Sequence, residues 1–104
     1  MSVIMGIMEE ELKRLEELSS FYRQKISDMP KGSISIKERA GKKYIYLARR
    51  EDKKVVFEYV GKDSPEIRNS LLKKIEQRKE YQSKLKQVQS NLKEVRKALR
   101  GKRA

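Results

Sequence analysis

Lys31–Lys62 reads KGSISIKERAGKKYIYLARREDKKVVFEYVGK, and the reading of this stretch decides the fold. It is rich in β-branched and aromatic residues and carries a glycine near each end. Three runs have strand chemistry: Ser33–Arg39, Lys42–Arg50 and Lys54–Val60. Ala40-Gly41 and Glu51-Asp52 separate them, and both are short enough for hairpin turns. The pattern predicts a three-stranded antiparallel β-meander over residues 31–62.

Register decides which side chains share a face, because a one-residue slip inverts a strand. With Ala40-Gly41 as a two-residue loop, Arg39 pairs with Lys42, Lys37 with Tyr44, Ile36 with Ile45 and Ile34 with Leu47. Ile34, Ile36, Ile45 and Leu47 then form an aliphatic layer. Ser35, Lys37, Arg39, Lys42, Tyr44 and Tyr46 take the opposite face. An even-length second loop, Glu51-Asp52 or Arg50–Lys53, pairs Tyr46 with Phe57 and Tyr44 with Tyr59. Four aromatics then gather beside Lys37, Arg39 and Lys42. A three-residue second loop would send Phe57 and Tyr59 to the aliphatic side instead.

The flanks read as helix. Over residues 1–29, Met5, Met8, Leu12, Leu15, Ser19, Tyr22, Ile26 and Met29 recur at alternating steps of three and four, a heptad seam. Leu18 and Phe21 widen that apolar face. Pro30 stops the helix by pushing Met29 out of the α region. Asp63-Ser64-Pro65-Glu66 is a helix start, with Ser64 as cap, Pro65 at the first position and Glu66 complementing the dipole. Residues 64–100 follow without Gly or Pro after Pro65. The second seam is Ile67, Leu71, Lys74, Arg78, Tyr81, Leu85, Val88, Leu92, Val95 and Leu99, with Leu72 and Ile75 on a neighbouring stripe. Lys74 and Arg78 interrupt its proximal half. That break predicts a change of partner, strands first and another helix farther out. Gly101–Ala104 reads as a short, disordered basic tail.

The expected architecture is therefore a single α+β domain. An N-terminal helix, the meander and a long C-terminal helix follow in order, and the two helices form an antiparallel coiled-coil-like hairpin with the sheet at its tip. The seam residues allow pairing within one chain or between two.

The chain has 104 residues, 37% hydrophobic and 40% charged, enough for one small domain with a thin core. It contains no cysteine and no histidine, which removes disulfides, thiolate metal sites and the commonest general base. No apolar run approaches a membrane span, and the opening MSVIMGIM lacks a basic n-region before Glu9-Glu10-Glu11. A cytoplasmic protein with no membrane partner is expected. No phosphate-binding loop, dinucleotide fingerprint or nucleophile motif is present, and the sheet-region acids Glu38, Glu51, Asp52, Glu58 and Asp63 do not cluster. No enzyme activity and no cofactor or metal are expected.

Net charge is +12 and uneven. Residues 1–30 carry 4 basic and 6 acidic side chains, residues 31–63 carry 10 and 5, and residues 64–104 carry 13 and 4. A basic sheet and second helix suit a polyanion. Lysine and arginine supply phosphate contacts, and tyrosines stack on unpaired bases or line a groove. The candidate nucleic-acid contacts are Lys37, Arg39, Lys42, Lys43, Tyr44, Tyr46, Arg49, Arg50, Lys53 and Lys54. On the second helix Lys73, Lys74, Arg78 and Lys79 extend the basic surface. The competing readings are cross-strand core pairs for the aromatics and a solvated helix face for the lysines.

Gly32–Ile36, Gly41–Leu47 and Tyr59–Gly61 carry a resemblance to a group of short uncharacterised prokaryotic proteins. These share a Gly-Ser-Ile/Leu-Ser start, a Gly-Lys-Lys-Tyr-x-Tyr-Leu second strand, a Tyr-x-Gly close and a charged heptad helix. Residues 41–61 are also similar to the amino-terminal meander of some insertion-sequence transposases, although no catalytic acidic triad follows. The resemblance implies a nucleic-acid-facing accessory module associated with mobile or defence genes. The expected function is non-catalytic nucleic-acid binding, DNA ahead of RNA. The alternative is a protein-interaction module, an antitoxin, inhibitor or adaptor, docking through the helical seam or the aromatic face, or a homodimer through the helices.

Overall fold

A computed structural model describes residues 2–103 and has an α+β fold. Helix α1 spans Val3–Ser27, strands β1, β2 and β3 span Ser33–Arg39, Lys42–Glu51 and Lys54–Lys62, and helix α2 spans Pro65–Arg103. The strands form an antiparallel meander in the order β1-β2-β3. α2 continues through Gly101 to Arg103, where the sequence predicts a disordered tail. A single glycine in an otherwise strong helix-forming run costs only about 1 kcal/mol, which does not end a helix. Ala104 of that tail lies outside the described residues. Among the described residues no helix is long and apolar enough to cross a membrane.

The chain divides into two compact units, one of residues up to Asp28 with those from Glu80 onward, the other Met29–Lys79. In the first, α1 begins at a Ser2 cap whose hydroxyl accepts from the Met5 amide. Its heptad seam packs on distal α2: Leu15, Val88 and Leu92 are buried, with Leu12, Leu18, Tyr22 and Val95 against them. Tyr22 meets Tyr81 at 5.8 Å, while Glu16 lies 3.7 Å from Arg96. Rising numbers on α1 therefore meet falling numbers on α2, and the helices run antiparallel within one chain. Phe21 completes an edge-on ring cluster with Tyr22 and Tyr81 but remains half exposed.

In the second unit the first hairpin has the expected register, with Arg39 opposite Lys42 and Ile34 opposite Leu47. Its loop residues Ala40 and Gly41 both take positive φ, at 52° and 75°, as a mirror-image hairpin turn requires. The second hairpin differs from expectation. Glu51 pairs with Lys54, so the loop is Asp52-Lys53, and Tyr46 faces Tyr59 while Ala48 faces Phe57. The aspartate tolerates the positive φ of 54° that the first loop position needs, which neither Glu51 nor Arg50 does as well. The shift is two residues, so the β3 side chains as far as Tyr59 keep their expected faces. A bulge where Ile45 gives way to Tyr46 then places Gly61 opposite Ile45 and Lys62 opposite Tyr44.

The aliphatic face packs on proximal α2. Ile45 is 0% exposed and, with Leu47 and Leu71, forms a core closed by Ile34, Ile67 and Ile75. Ile67, Leu71 and Ile75 stand four residues apart on one helical stripe. Ile36, expected in this layer, lies off that stripe on an edge strand and stays exposed, as does Leu72. α2 starts as its sequence predicts: the Ser64 hydroxyl accepts from the Ile67 amide at 3.1 Å. Asp63 adds a clamp that composition does not reveal. Its carboxylate accepts both Arg68 guanidinium donors, Nε at 2.6 Å, and its amide donates to the Lys43 carbonyl at 3.0 Å.

Gly32, just before β1, has φ +119° and presses against the backbone of Ala48. A Cβ there would overlap the Ala48 carbonyl and stand 3.2 Å from the Arg49 Cβ. Gly32→Ala is therefore expected to cost at least about 1–3 kcal/mol, read as a lowered unfolding midpoint in circular dichroism, whereas Gly41→Asn should cost less, because the space beside Gly41 is open and asparagine tolerates its positive φ better than other side chains do. The Arg68 hydrogen bonds hold the Asp63 carboxyl below its ordinary range. A depressed carboxylate contributes stability that is complete above its unfolded value, near about 3.9, and is lost as pH falls through the lower folded value. Urea unfolding across pH 2–6 should show this acid limb flattened in Asp63→Asn relative to the wild type.

Candidate nucleic-acid interface

Side chains alternate across β2, so packing Ile45 and Leu47 on α2 turns Tyr44 and Tyr46 to the other side. The pairings lay that second face out in rows. Arg39 and Lys42 stand at one hairpin end. Lys37, Tyr44 and Lys62 come next, then Ser35, Tyr46 and Tyr59, then Ser33, Ala48 and Phe57. Arg50 and Val55 close the other end. Cations therefore occupy both ends of a central aromatic patch. The rows from Lys42 to Arg50 span nine residues of β2, and the steps between them amount to about 27 Å at roughly 3.4 Å each.

The rings form one cluster. Tyr59 stands 5.5 Å from Tyr46 at 64° and 6.3 Å from Tyr44 at 53°. Lys37 reaches across the face, with its ammonium 3.6 Å from the Phe57 ring centre and 5.0 Å from that of Tyr46. Four aromatics thus gather beside Lys37, as the sequence predicts, although through different pairings. Tyr59 is 57% exposed and Phe57 45%. Ser33, Ser35 and Ala48 are small neighbours that leave the rings standing above the sheet.

Acids are segregated from this face. The strand carboxylates Glu38, Glu51 and Glu58 all have the parity of Ile45 and Leu47 and point to the helix-covered side. Arg49 shares that side, bonded to Glu51 at 2.9 Å and Glu58 at 2.6 Å, and these two carboxylates raise its pKa. Lys43 and Lys54 also have this parity, and Lys53 sits in the second turn. Of the ten sheet candidates, then, Lys37, Arg39, Lys42, Tyr44, Tyr46 and Arg50 come together on the aromatic face. Lys43, Arg49 and Lys54 do not. Proximal α2 covers the aliphatic side, so Lys73, Lys74, Arg78 and Lys79 lie on the helix behind the sheet and do not extend this face.

Three members of the face are missing from the sequence-derived contacts. Phe57 and Tyr59 belong by parity alone, which the loop chemistry already favours. Lys62 joins only because the bulge carries the strand past Gly61, and a glycine late in a strand is the one available signal. Among the described residues no group of three His, Cys, Asp or Glu side chains is placed to hold a metal ion.

The comparisons with known proteins follow this geometry. A family model described as "Domain of unknown function (DUF6788)" matches residues 7–69, most of α1, the whole sheet and the first turn of α2. The chain belongs to this family. No curated protein and no solved structure matches it. The family match agrees with the resemblance to an uncharacterised group and offers no support for the transposase likeness.

Lys37 is the one cation of the face held by rings. Lys37→Ala is expected to lower the unfolding free energy by about 0.5–1 kcal/mol, the size of an exposed cation–π contact, while Lys42→Ala at the hairpin end changes it by less. Paired urea titrations would check the difference.

Proposed function

We propose that this family member is a non-catalytic nucleic-acid-binding protein that engages its ligand through the aromatic face of the sheet. The observation that supports the reading most directly is the separation of charge across the sheet. Lys37, Arg39, Lys42, Arg50 and Lys62 surround exposed rings on a face without strand carboxylates, while Glu38, Glu51 and Glu58 are confined to the other side. A merely solvated surface mixes both signs, as Arg49 does with Glu51 and Glu58. Phosphates supply the missing anions, and neutralising them releases counterions and gives affinity that falls with salt. Base faces or groove edges meet the rings.

A second reading, docking on another protein, draws on Val3, Ile4 and Ile7, which are exposed on the first turns of α1. A stoichiometric complex that survives nuclease treatment would favour it.

The two faces of the sheet make a controlled experiment. Nuclease-treated protein is titrated with labelled DNA and RNA across a salt series. Arg39→Ala with Lys42→Ala should weaken binding and reduce the log–log salt slope by roughly one to two. Lys43→Ala with Lys54→Ala removes the same charge from the opposite face and should change both much less. Equal losses from the two pairs would reduce the reading to generic polycation behaviour, and absence of binding near 0.15 M salt would overturn it.

A further inference from the structure

We propose that the face discriminates by strandedness, taking unpaired nucleic acid with bases stacked on Tyr59, Tyr46 and Tyr44 and excluding the intact duplex. The inference rests on the nucleic-acid reading above and adds the class of ligand.

The placement of rings and cations carries it. A duplex presents phosphates and groove edges and keeps its base faces in the stack, so a reader of duplex needs cations and hydrogen-bonding groups where it touches. Here the centre of the face is aromatic, with the Lys37 ammonium lying over it, and Arg39, Lys42, Lys62 and Arg50 stand toward its ends. Between the Arg39–Lys42 row and the Arg50–Val55 row come Tyr44, Tyr46, Tyr59 and Phe57. Docked on a duplex, these rings would lose water without gaining a stacking partner. An unpaired strand supplies both needs, base faces for the rings and phosphates for the cations over and around them. The face's length of about 27 Å is enough for a short run of nucleotides.

Ring geometry ranks the platforms. Tyr59 is the most exposed of the cluster, and its neighbours Tyr44 and Tyr46 are inclined to it at 53° and 64°. Neither is stacked parallel on it. Phe57, in contrast, already carries the Lys37 ammonium at 3.6 Å. Tyr59 is thus the ring open to a base, while Lys37 is held over the patch where a phosphate would pass. Ser35 and Ala48, the small neighbours of Tyr46 and Phe57, leave room beside the rings for the edge of a base.

The experiment compares single-stranded DNA, single-stranded RNA and a perfectly paired duplex of equal length, binding to wild type, Tyr59→Ala and Tyr59→Phe near 0.15 M salt. Single strands should bind at least tenfold more tightly than duplex. Tyr59→Ala should weaken single-strand binding roughly 5- to 150-fold, the range of one base–aromatic stack, with the salt slope unchanged. Tyr59→Phe keeps the ring and should bind like wild type, which separates stacking from loss of fold or of the hydroxyl. The chain has no tryptophan, so its intrinsic emission comes from tyrosine, and single strands should quench it more than duplex does. Equal affinity for single strand and duplex, with Tyr59→Ala indifferent, would overturn strand discrimination and leave the nucleic-acid reading standing. Failure to bind any of the three ligands would overturn both.

Discussion

The alternation of side chains along β2 is the constraint from which the rest of the sheet unit follows. Ile45 and Leu47 are buried beneath Leu71, each worth about 1.5–3 kcal/mol against leaving it in water. Their neighbours Tyr44 and Tyr46 must then face away. A slip of one residue would bury the tyrosines' polar ends and expose the aliphatic pair, so the core pins the orientation of every residue on the open face. An antiparallel sheet with one covered face ordinarily turns polar side chains to water. Here the open face carries rings, and that departure needs a reason outside the core. Val55, Phe57 and Tyr59 on β3 repeat the departure on the neighbouring strand.

Electrostatics follow the same parity. On the helix-covered side the charges are matched locally, Arg49 by Glu51 and Glu58 beside the sheet and Arg68 by Asp63 at the start of α2. These pairs are largely at the surface and contribute modestly to stability. Their main consequence is distributional, since they use the acids of the meander where they do not offset the cations opposite. On the open face Lys37 finds π-electrons in place of a carboxylate. A cation held over a ring keeps its charge and remains available to a phosphate, which a carboxylate partner would screen.

Most of this organisation was legible because strands repeat every two residues and heptad helices every three and four. The first hairpin's register followed from Ala40-Gly41, and the change of partner along α2 from the interruption at Lys74 and Arg78. The second hairpin was legible in parity and not in pairing. Loop length there depends on which residue accepts a positive φ, and Asp52 does so without the glycine that would have marked it. The bulge that brings Lys62 opposite Tyr44 has only Gly61 as its local signal, and a lone glycine does not fix where a strand changes register. Arg49 misled for a related reason. Its position in a basic run suggested a phosphate contact, but its parity places it between two carboxylates. Charge counted along a sequence cannot distinguish the faces of a sheet until the register is known.

The residues that hold this unit together and the residues on its open face are disjoint sets joined only by backbone. Ile34, Ile45, Leu47, Ile67, Leu71 and Ile75 carry the apolar burial, and Gly32, Ala40 and Asp52 carry the special backbone conformations that set the turns. None of these side chains lies in the central aromatic rows. A face so separated can keep exposed rings because the core already specifies the fold, and the rings need satisfy no packing demand of the helix. The same separation explains why an exposed tyrosine such as Tyr59 is better accounted for by what it meets than by what it supports. Its ring meets those of Tyr44 and Tyr46 on the open face, and it is no member of the Ile45–Leu47–Leu71 core.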